Sequence, residues 1–296
     1  MSSIQIKGVL SLILLSFIFA SMGVFARFLD LELELFQQTY LRIGLAFLIS
    51  IIIFFPFLSF KKIVSISKKD FFILIIRACF LYAAVVLITY ALLIGKYSNA
   101  SFIGAIPILP LIGYFLLKER ISKKMFFYIL IAFFGVGVII FQELSFVIFD
   151  IASLYAFVSA VLFSISMILR KFHSNYLNTY ETTSLMFFIA TIFLLIGGFL
   201  FSEGLPQIGE FSISTIIVLI ISAVANVCII LLINFGFEHV KATIAGNILT
   251  LEVFFALLYG ILLYQEFLNL FEIIGSVLIL ISILLVNYQD SKENKN

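Results

Sequence analysis

The chain has 296 residues, of which 64% are hydrophobic and only 11% are charged, and its mean hydropathy is +1.26. A typical soluble domain is about 25% charged, so this composition excludes a water-soluble globular protein and favours a chain that lies in lipid. The net charge of +2 gives no basis for a nucleic-acid partner.

Apolar runs long enough to cross a bilayer follow one another along the sequence. A helix needs about 20 apolar residues to cross the hydrocarbon core. Division of the sequence at its polar clusters predicts ten helical spans, at 8–29, 35–56, 71–94, 97–117, 124–141, 148–170, 180–201, 212–236, 242–264 and 268–288. The connections are short, so the predicted fold is an all-α integral membrane protein with about ten transmembrane helices.

The basic residues are distributed unequally between the two sides of the predicted membrane. With the N-terminus inside, the even number of crossings returns the C-terminus to the same side. The inner side then holds 14 of the 18 basic residues: Lys7, Lys61, Lys62, Lys68, Lys69, Lys118, Arg120, Lys123, Lys124, Arg170, Lys171, Lys241, Lys292 and Lys295. The outer side holds only Arg27 and Lys96. Because basic loops are retained in the cytoplasm, we predict a protein of the cell (inner) membrane with both termini cytoplasmic.

The two halves of the sequence resemble each other. Alignment of Glu119 with Glu266 also aligns Gly113 with Gly260, and one apolar span follows in each half. The first spans carry comparable helical faces, formed by Ser16, Ala20, Gly23 and Arg27 and by Ser159, Phe163, Ser166 and Arg170. Five spans per half is an odd number, so the second half must insert upside down. The predicted organisation is two inverted five-helix repeats and a short cytoplasmic tail, at 1–145, 146–290 and 291–296.

Four short motifs lie in these repeats, three in the first half and one in the second. They are Thr39-Tyr-Leu-Arg42, Tyr90-Ala-Leu before small residues, the Pro107 span that ends in Leu-Lys-Glu119-Arg120, and the stretch from Leu251-Glu252 to Glu266. Together they resemble the drug/metabolite transporter superfamily, in its ten-helix EamA branch. That family usually has a proline after the first Glu of the last motif, where this chain has Val253. The resemblance covers about 8–288 and implies a transporter fold more strongly than any particular substrate.

Three ionisable residues fall inside predicted spans, where charge is costly and usually faces a cavity or a partner. Glu252 lies about nine residues into its span, near mid-membrane at about 1.5 Å per residue. Arg42 and Arg77 lie closer to span ends. We predict that all three serve substrate binding or coupling. The alternatives are an interhelical hydrogen bond for Glu252 and snorkelled or interhelical anchors for the two arginines.

Uncharged polar residues of the spans extend this candidate site. The residues selected are Tyr82, Asn226, Asn247 and Tyr259. Ala245, Glu252 and Tyr259 recur every seven residues and so share one helical face. An intramembrane Asn can instead simply join neighbouring helices.

Two of the four prolines, Pro107 and Pro110, fall in the fourth predicted span. Each proline removes an intrahelical hydrogen bond, so we predict a helix break there. A packing kink without a role in function is the alternative.

The predicted function is a secondary transporter that moves a small organic metabolite, such as an amino acid or a related compound, by alternating access. The sequence has no phosphate-binding G-x-x-x-x-G-K-[ST] stretch, and no enzyme activity, cofactor or metal is expected. A membrane-embedded enzyme or a channel is the alternative, although no H-E-x-x-H, G-x-S-x-G or filter-like loop is present. The expected partners are a small-molecule substrate and the lipid bilayer, and proton coupling and a homodimer stay open.

Overall fold

The computed structural model describes residues 3–94, 103–104, 108–109, 112, 122–141, 151–172, 176–206, 211–264 and 270–293. Every regular element in these ranges is a helix. In chain order the α-helices are α1 (Ser3–Leu29), α2 (Leu35–Phe54), α3 (Phe60–Val64), α4 (Lys68–Ile94), α5 (Lys123–Phe141), α6 (Ile151–Phe172), α7 (Thr179–Leu200), α8 (Ile213–His239), α9 (Ala242–Leu249), α10 (Leu251–Tyr264) and α11 (Leu270–Glu293). A 3-10 helix (Phe55–Phe57) follows α2.

Eight helical segments of the described chain are long and apolar enough to cross a membrane. They correspond to predicted spans one to three and six to ten, and α5 covers the fifth. The fourth predicted span, 97–117, is described only at 103–104, 108–109 and 112. Large apolar side chains such as Ile52, Phe134 and Leu284 are exposed on the outer surface, where lipid would cover them. The prediction of a multi-pass, all-helical membrane protein is therefore confirmed.

The second helix of each half shows that the two halves are inverted. At the start of α2, the N–H groups of Phe36 and Gln37 donate to the carboxylate of Glu203, which follows α7, at 2.6 and 3.0 Å. At the opposite ends, the Asn178 side-chain amide before α7 donates to the Phe57 carbonyl after α2 at 2.9 Å. Thus α2 and α7 run antiparallel although they occupy the same place in their halves. One half is upside down, as predicted.

The other long helices make equivalent contacts in the two halves, as expected when the halves are related by a twofold axis. α1 packs against α8 and α4 against α6, so the first spanning helix of each half contacts the third of the other. α5 packs against α11. The pattern of buried residues is also shared by the two halves. When α4 is aligned with α8 by a shift of 145 residues, so that Leu74 matches Leu219, each of the nine buried residues of α4 matches a buried residue of α8.

The two ends of the bundle differ in charge. The basic end carries the last turns of α6, α8 and α11, where the ion pairs Arg170–Glu238 and Lys241–Asp290 measure 3.1 and 2.8 Å. The acidic end carries Glu34 before α2 and Glu203 after α7.

Candidate functional site

A cavity of about 160 Å³ lies between the two halves. Its walls come from α1 and α4 of the first half and from α6, α8 and α10 of the second, with Arg42 of α2 and Gly104 added. The lining residues of α1 and α4 lie toward the acidic end of these helices, and those of α6 and α8 lie near the middle of theirs. The cavity therefore reaches from mid-depth toward the acidic end. Secondary transporters built from inverted repeats bind their substrates at this kind of interface.

Glu252 lines the cavity from the first turn of α10. The ninth span, predicted as one helix, is interrupted just before it: the N–H groups of Thr250 and Val253 bond to carbonyls three residues back. The Thr250 hydroxyl also donates to the Asn247 carbonyl at 2.6 Å, and such hydroxyl bonds compete with the regular helical pattern. The interruption places Glu252 at a helix N-terminus, where a carboxylate interacts favourably with the helix dipole.

Arg42 brings the opposite charge to the same cavity. Its side chain is 3% exposed, and its Nε donates to the Gln38 carbonyl of its own helix at 3.3 Å. No hydrogen bond or ion pair joins Arg42 to Glu252 in the described part of the chain. The cavity is therefore lined by a carboxyl group and a guanidinium group that lie on different helices and are not paired with each other.

Tyr82 and Asn226, both predicted site residues, also line the cavity. The Tyr82 side chain is 1% exposed, and its hydroxyl has no hydrogen-bond partner among the described residues. A buried polar group without a partner costs about 1–3 kcal/mol, so this hydroxyl marks a position where a ligand or water would be stabilised. The Asn226 amide donates to the Ser222 carbonyl at 2.8 Å.

Arg77 does not line the cavity. It is fully buried, and its Nη2 donates to Oδ1 of Asn234 on α8 at 2.7 Å. The structure therefore gives this arginine an interhelical contact, which is the alternative considered for it on sequence grounds.

Asn247 and Tyr259 also lie outside the lining of the cavity. The Asn247 side-chain oxygen accepts a hydrogen bond from the Ser282 hydroxyl at 3.1 Å, which joins α9 to α11. The Tyr259 hydroxyl donates to the Phe17 carbonyl at 3.4 Å, which joins α10 to α1. Both contacts connect helices within the bundle.

The predicted helix break at Pro107 and Pro110 lies outside the described residues. Of the fourth predicted span, Gly104 lines the cavity. A Cβ at this glycine would approach Cδ1 of Ile88 to 2.8 Å, so the small residue allows this span to lie close to α4.

Several lining residues were not among the predicted site residues. Ser159 donates through its hydroxyl to the Ala84 carbonyl at 2.7 Å, and the rings of Phe19 and Phe163 meet edge to face at 5.5 Å. All four line the cavity. Ser159 and Phe163 belong to one of the repeated helical faces of the sequence, so that repeat was a usable signal for cavity residues.

Carboxylates of the acidic end hold helix starts in place. Burial raises the pKa of Glu203, and the N–H groups of Gln37 and Phe36 oppose part of this shift. Hydrogen bonds from Ser212, the residue before α8, lower the pKa of Glu32. These groups therefore stabilise the starts of α2 and α8.

Comparisons with known proteins match both halves of the chain. The model of the EamA-like transporter family matches residues 6–141 and 150–288, once in each half. No curated protein matches the chain. A solved structure, described only as the crystal structure of a protein, is 13% identical with a TM-score of 0.77, and the alignment covers 97% of this chain and 98% of that one. At this identity the similarity concerns the fold alone.

Proposed function

Because the chain belongs to the EamA-like transporter family, we propose that it is a secondary transporter that moves a small organic molecule across the membrane by alternating access. The observation that carries the proposal is the cavity between the inverted halves, lined by both Arg42 and Glu252. Charged side chains in a bilayer are costly unless they face a partner or a water-filled cavity. A substrate that pairs with both charges would account for their presence.

A zwitterion, such as an amino acid or a related compound, is the substrate class that these charges favour. The Arg42 guanidinium would bind a carboxylate, since its planar donors match the two carboxylate oxygens. Glu252 would bind the ammonium group, and the Tyr82 hydroxyl would add a hydrogen bond. The cavity of about 160 Å³ is below the range of about 300–1,000 Å³ typical of drug-sized ligands, which favours a small metabolite.

Proton coupling at Glu252 is the second part of the proposal. A bare carboxylate is costly in a cavity that has closed and lost its water. Binding of a proton or of a substrate ammonium removes that cost, so the occupied site is easier to carry through the closed state. Because the closed state is reached more easily when the site is occupied, the conformational change is coupled to binding of the substrate or the proton.

The orientation follows from the distribution of basic residues. We place the basic end and both termini in the cytoplasm, because the sequence predicts 14 of the 18 Lys and Arg residues on that side. The repeats 1–145 and 146–290 are then the two units that rearrange around the cavity.

Counterflow into proteoliposomes tests this function. Liposomes with purified protein are loaded with one unlabelled amino acid and diluted into a labelled one, in parallel with a dicarboxylate and a diamine. Zwitterions should exchange saturably without ATP, and Arg42→Leu should strongly slow the exchange at substrate concentrations below saturation. Protein-free liposomes and Asn287→Leu, a change on α11 away from the lining of the cavity, are the controls. Equal exchange of compounds that lack one of the two charges would contradict the substrate class, and absence of exchange for every class would contradict the transport function.

A further inference from the structure

Arg77 joins the two halves one helical turn below the cavity. On α4 the cavity lining begins at Leu81, and Arg77 lies four residues earlier, about 6 Å closer to the basic end at about 1.5 Å per residue. Its guanidinium donates to Oδ1 of Asn234 on α8 at 2.7 Å. The Asn234 amide donates onward to the Thr183 hydroxyl on α7 at 3.1 Å. A helix of the first half is thereby tied to two helices of the second.

Other contacts close the bundle on the same side of the cavity. The Ser166 hydroxyl on α6 donates to the Arg77 carbonyl at 2.9 Å. Nearer the basic end, Arg170 of α6 pairs with Glu238 of α8 at 3.1 Å. Among the described residues, the lining of the cavity continues from this level toward the acidic end. The described helices are therefore joined to one another on the basic side of the cavity.

The internal repeat provides a direct comparison for the Arg77–Asn234 contact. At the shift of 145 residues that relates α4 to α8, Arg77 corresponds to Ser222 and Thr89 corresponds to Asn234. The Ser222 hydroxyl donates to the Leu219 carbonyl of its own helix at 2.9 Å, whereas Thr89 lines the cavity. In the described chain no hydrogen bond joins Ser222 to Thr89. The closed end thus contains an Arg–Asn pair where the other end contains a Ser–Thr pair.

We propose that Arg77 and Asn234 form a latch that holds the basic end closed and favours the state in which the cavity faces the acidic end. In inverted repeats the opposite state arises when the halves exchange conformations, which would bring Ser222 and Thr89 together. Two short hydroxyl side chains cannot replace a bond donated by a charged guanidinium, which is stronger than a neutral one. The two end states therefore differ in free energy, and the latch sets the resting state.

The latch is also able to release. Nε and Nη1 of Arg77 have no hydrogen-bond partner among the described residues. Water that enters when the basic end opens would satisfy these donors and offset part of the lost Asn234 bond. The contact therefore biases the equilibrium without blocking the cycle.

Thiol reactivity of two reporter cysteines measures this equilibrium. In a chain with Cys79 and Cys228 replaced by serine, one reporter is Ile233→Cys, because Ile233 is buried and continues the face of α8 that lines the cavity at Asn226. The other is Ala256→Cys, in the cavity itself. Each reporter is combined with Asn234→Leu or Asn234→Asp, and with Asn287→Leu as the control for a partly buried Asn of another helix. A small water-soluble maleimide is the probe.

Opposite changes at the two reporters are the expected result. Asn234→Leu should raise the labelling rate at Ile233→Cys by about tenfold, the equivalent of one hydrogen bond of about 1.4 kcal/mol, and should lower the rate at Ala256→Cys. Asn234→Asp keeps the side-chain shape and gives Arg77 a charged acceptor, so labelling at Ile233→Cys should slow. Asn287→Leu should leave both rates unchanged.

Two outcomes would overturn the latch. One is that Asn234→Leu and Asn234→Asp leave both rates at the parent values. The other combines two results: Asn234→Leu raises the rates at both reporters, and Asn234→Asp does not slow labelling at Ile233→Cys. General loosening of the bundle would then explain the labelling. The inference rests on the proposed transport cycle, but the labelling is done without substrate. A failed exchange assay and a failed latch are therefore distinguishable.

Discussion

Glu252 is the residue whose chemistry most directly separates the transport proposal from a structural role. It lies in the first turn of α10 and lines the cavity. As a coupling group it must bind a proton or a cationic part of the substrate. As a structural group it would only accept a hydrogen bond, and an amide could do the same.

Substitution of Glu252 tests this distinction. Glu252→Gln should keep the fold but abolish exchange or its pH dependence, because an amide neither ionises nor pairs with an ammonium group. Glu252→Asp should retain more exchange than Gln, since it keeps the charge and moves it by one methylene. The measurement is counterflow across a series of pH values. An unchanged rate and pH profile for Glu252→Gln would show that the coupling role is wrong.

Arg42 is expected to determine affinity for the carboxylate of the substrate. Arg42→Leu should weaken substrate binding by about 10- to 100-fold, since a hydrogen bond to a charged group contributes about 1.5–3 kcal/mol. Arg42→Lys should lose less, because it keeps the charge but not the planar donor pair. Titration of the purified variants with a zwitterion measures this. If Arg42→Leu binds the zwitterion as tightly as the parent protein, Arg42 is a structural anchor.

Glycine allows the close approach of two spanning helices at the scale of secondary-structure elements. A Cβ at Gly135 on α5 would lie 2.8 Å from the Gly275 carbonyl oxygen of α11, and a backbone atom cannot move aside as a side chain can. At Gly44 on α2 the nearest contact would be 3.6 Å, to Cγ2 of Thr191. Small residues at helix interfaces are a common device for packing in membranes.

These two glycines form a matched pair for measuring the effect of packing. Gly135→Ala should lower the free energy of unfolding by up to about 2 kcal/mol, because an overpacking cost of about 1–3 kcal/mol is offset in part by a gain of about 1 kcal/mol in helix propensity. Gly44→Ala should be neutral or stabilising, because the propensity gain meets no clash. Thermal unfolding in detergent compares them. Equal melting temperatures would mean that α5 and α11 can separate without loss of stability.

Topology is the property of the whole molecule that is most open to direct test. Reporter fusions after Lys62, Lys124 and Asn296 should all report the cytoplasm, because the basic residues gather on that side. A fusion after Glu203, at the acidic end, is the control and should report the opposite side. A non-cytoplasmic reading at Asn296 would contradict the even number of spans.

The sequence by itself determined that the chain lies in lipid, where most of its helices are and that its halves are inverted. These properties depend on local quantities: apolar length sets the spans, charge marks their ends, and an odd number of spans per half requires inversion. No packing information is needed for any of them.

Only the tertiary structure decided which polar residues meet. Arg42 and Arg77 are alike in sequence terms, since both are arginines within apolar spans, yet one lines the cavity and the other bonds Asn234. The rotation of each helix about its axis and the choice of its neighbours decide this, and both come from side-chain packing between segments distant in sequence. The interruption at Thr250 was missed for a related reason, because a threonine within an apolar span gives no local signal that its hydroxyl will bond the backbone.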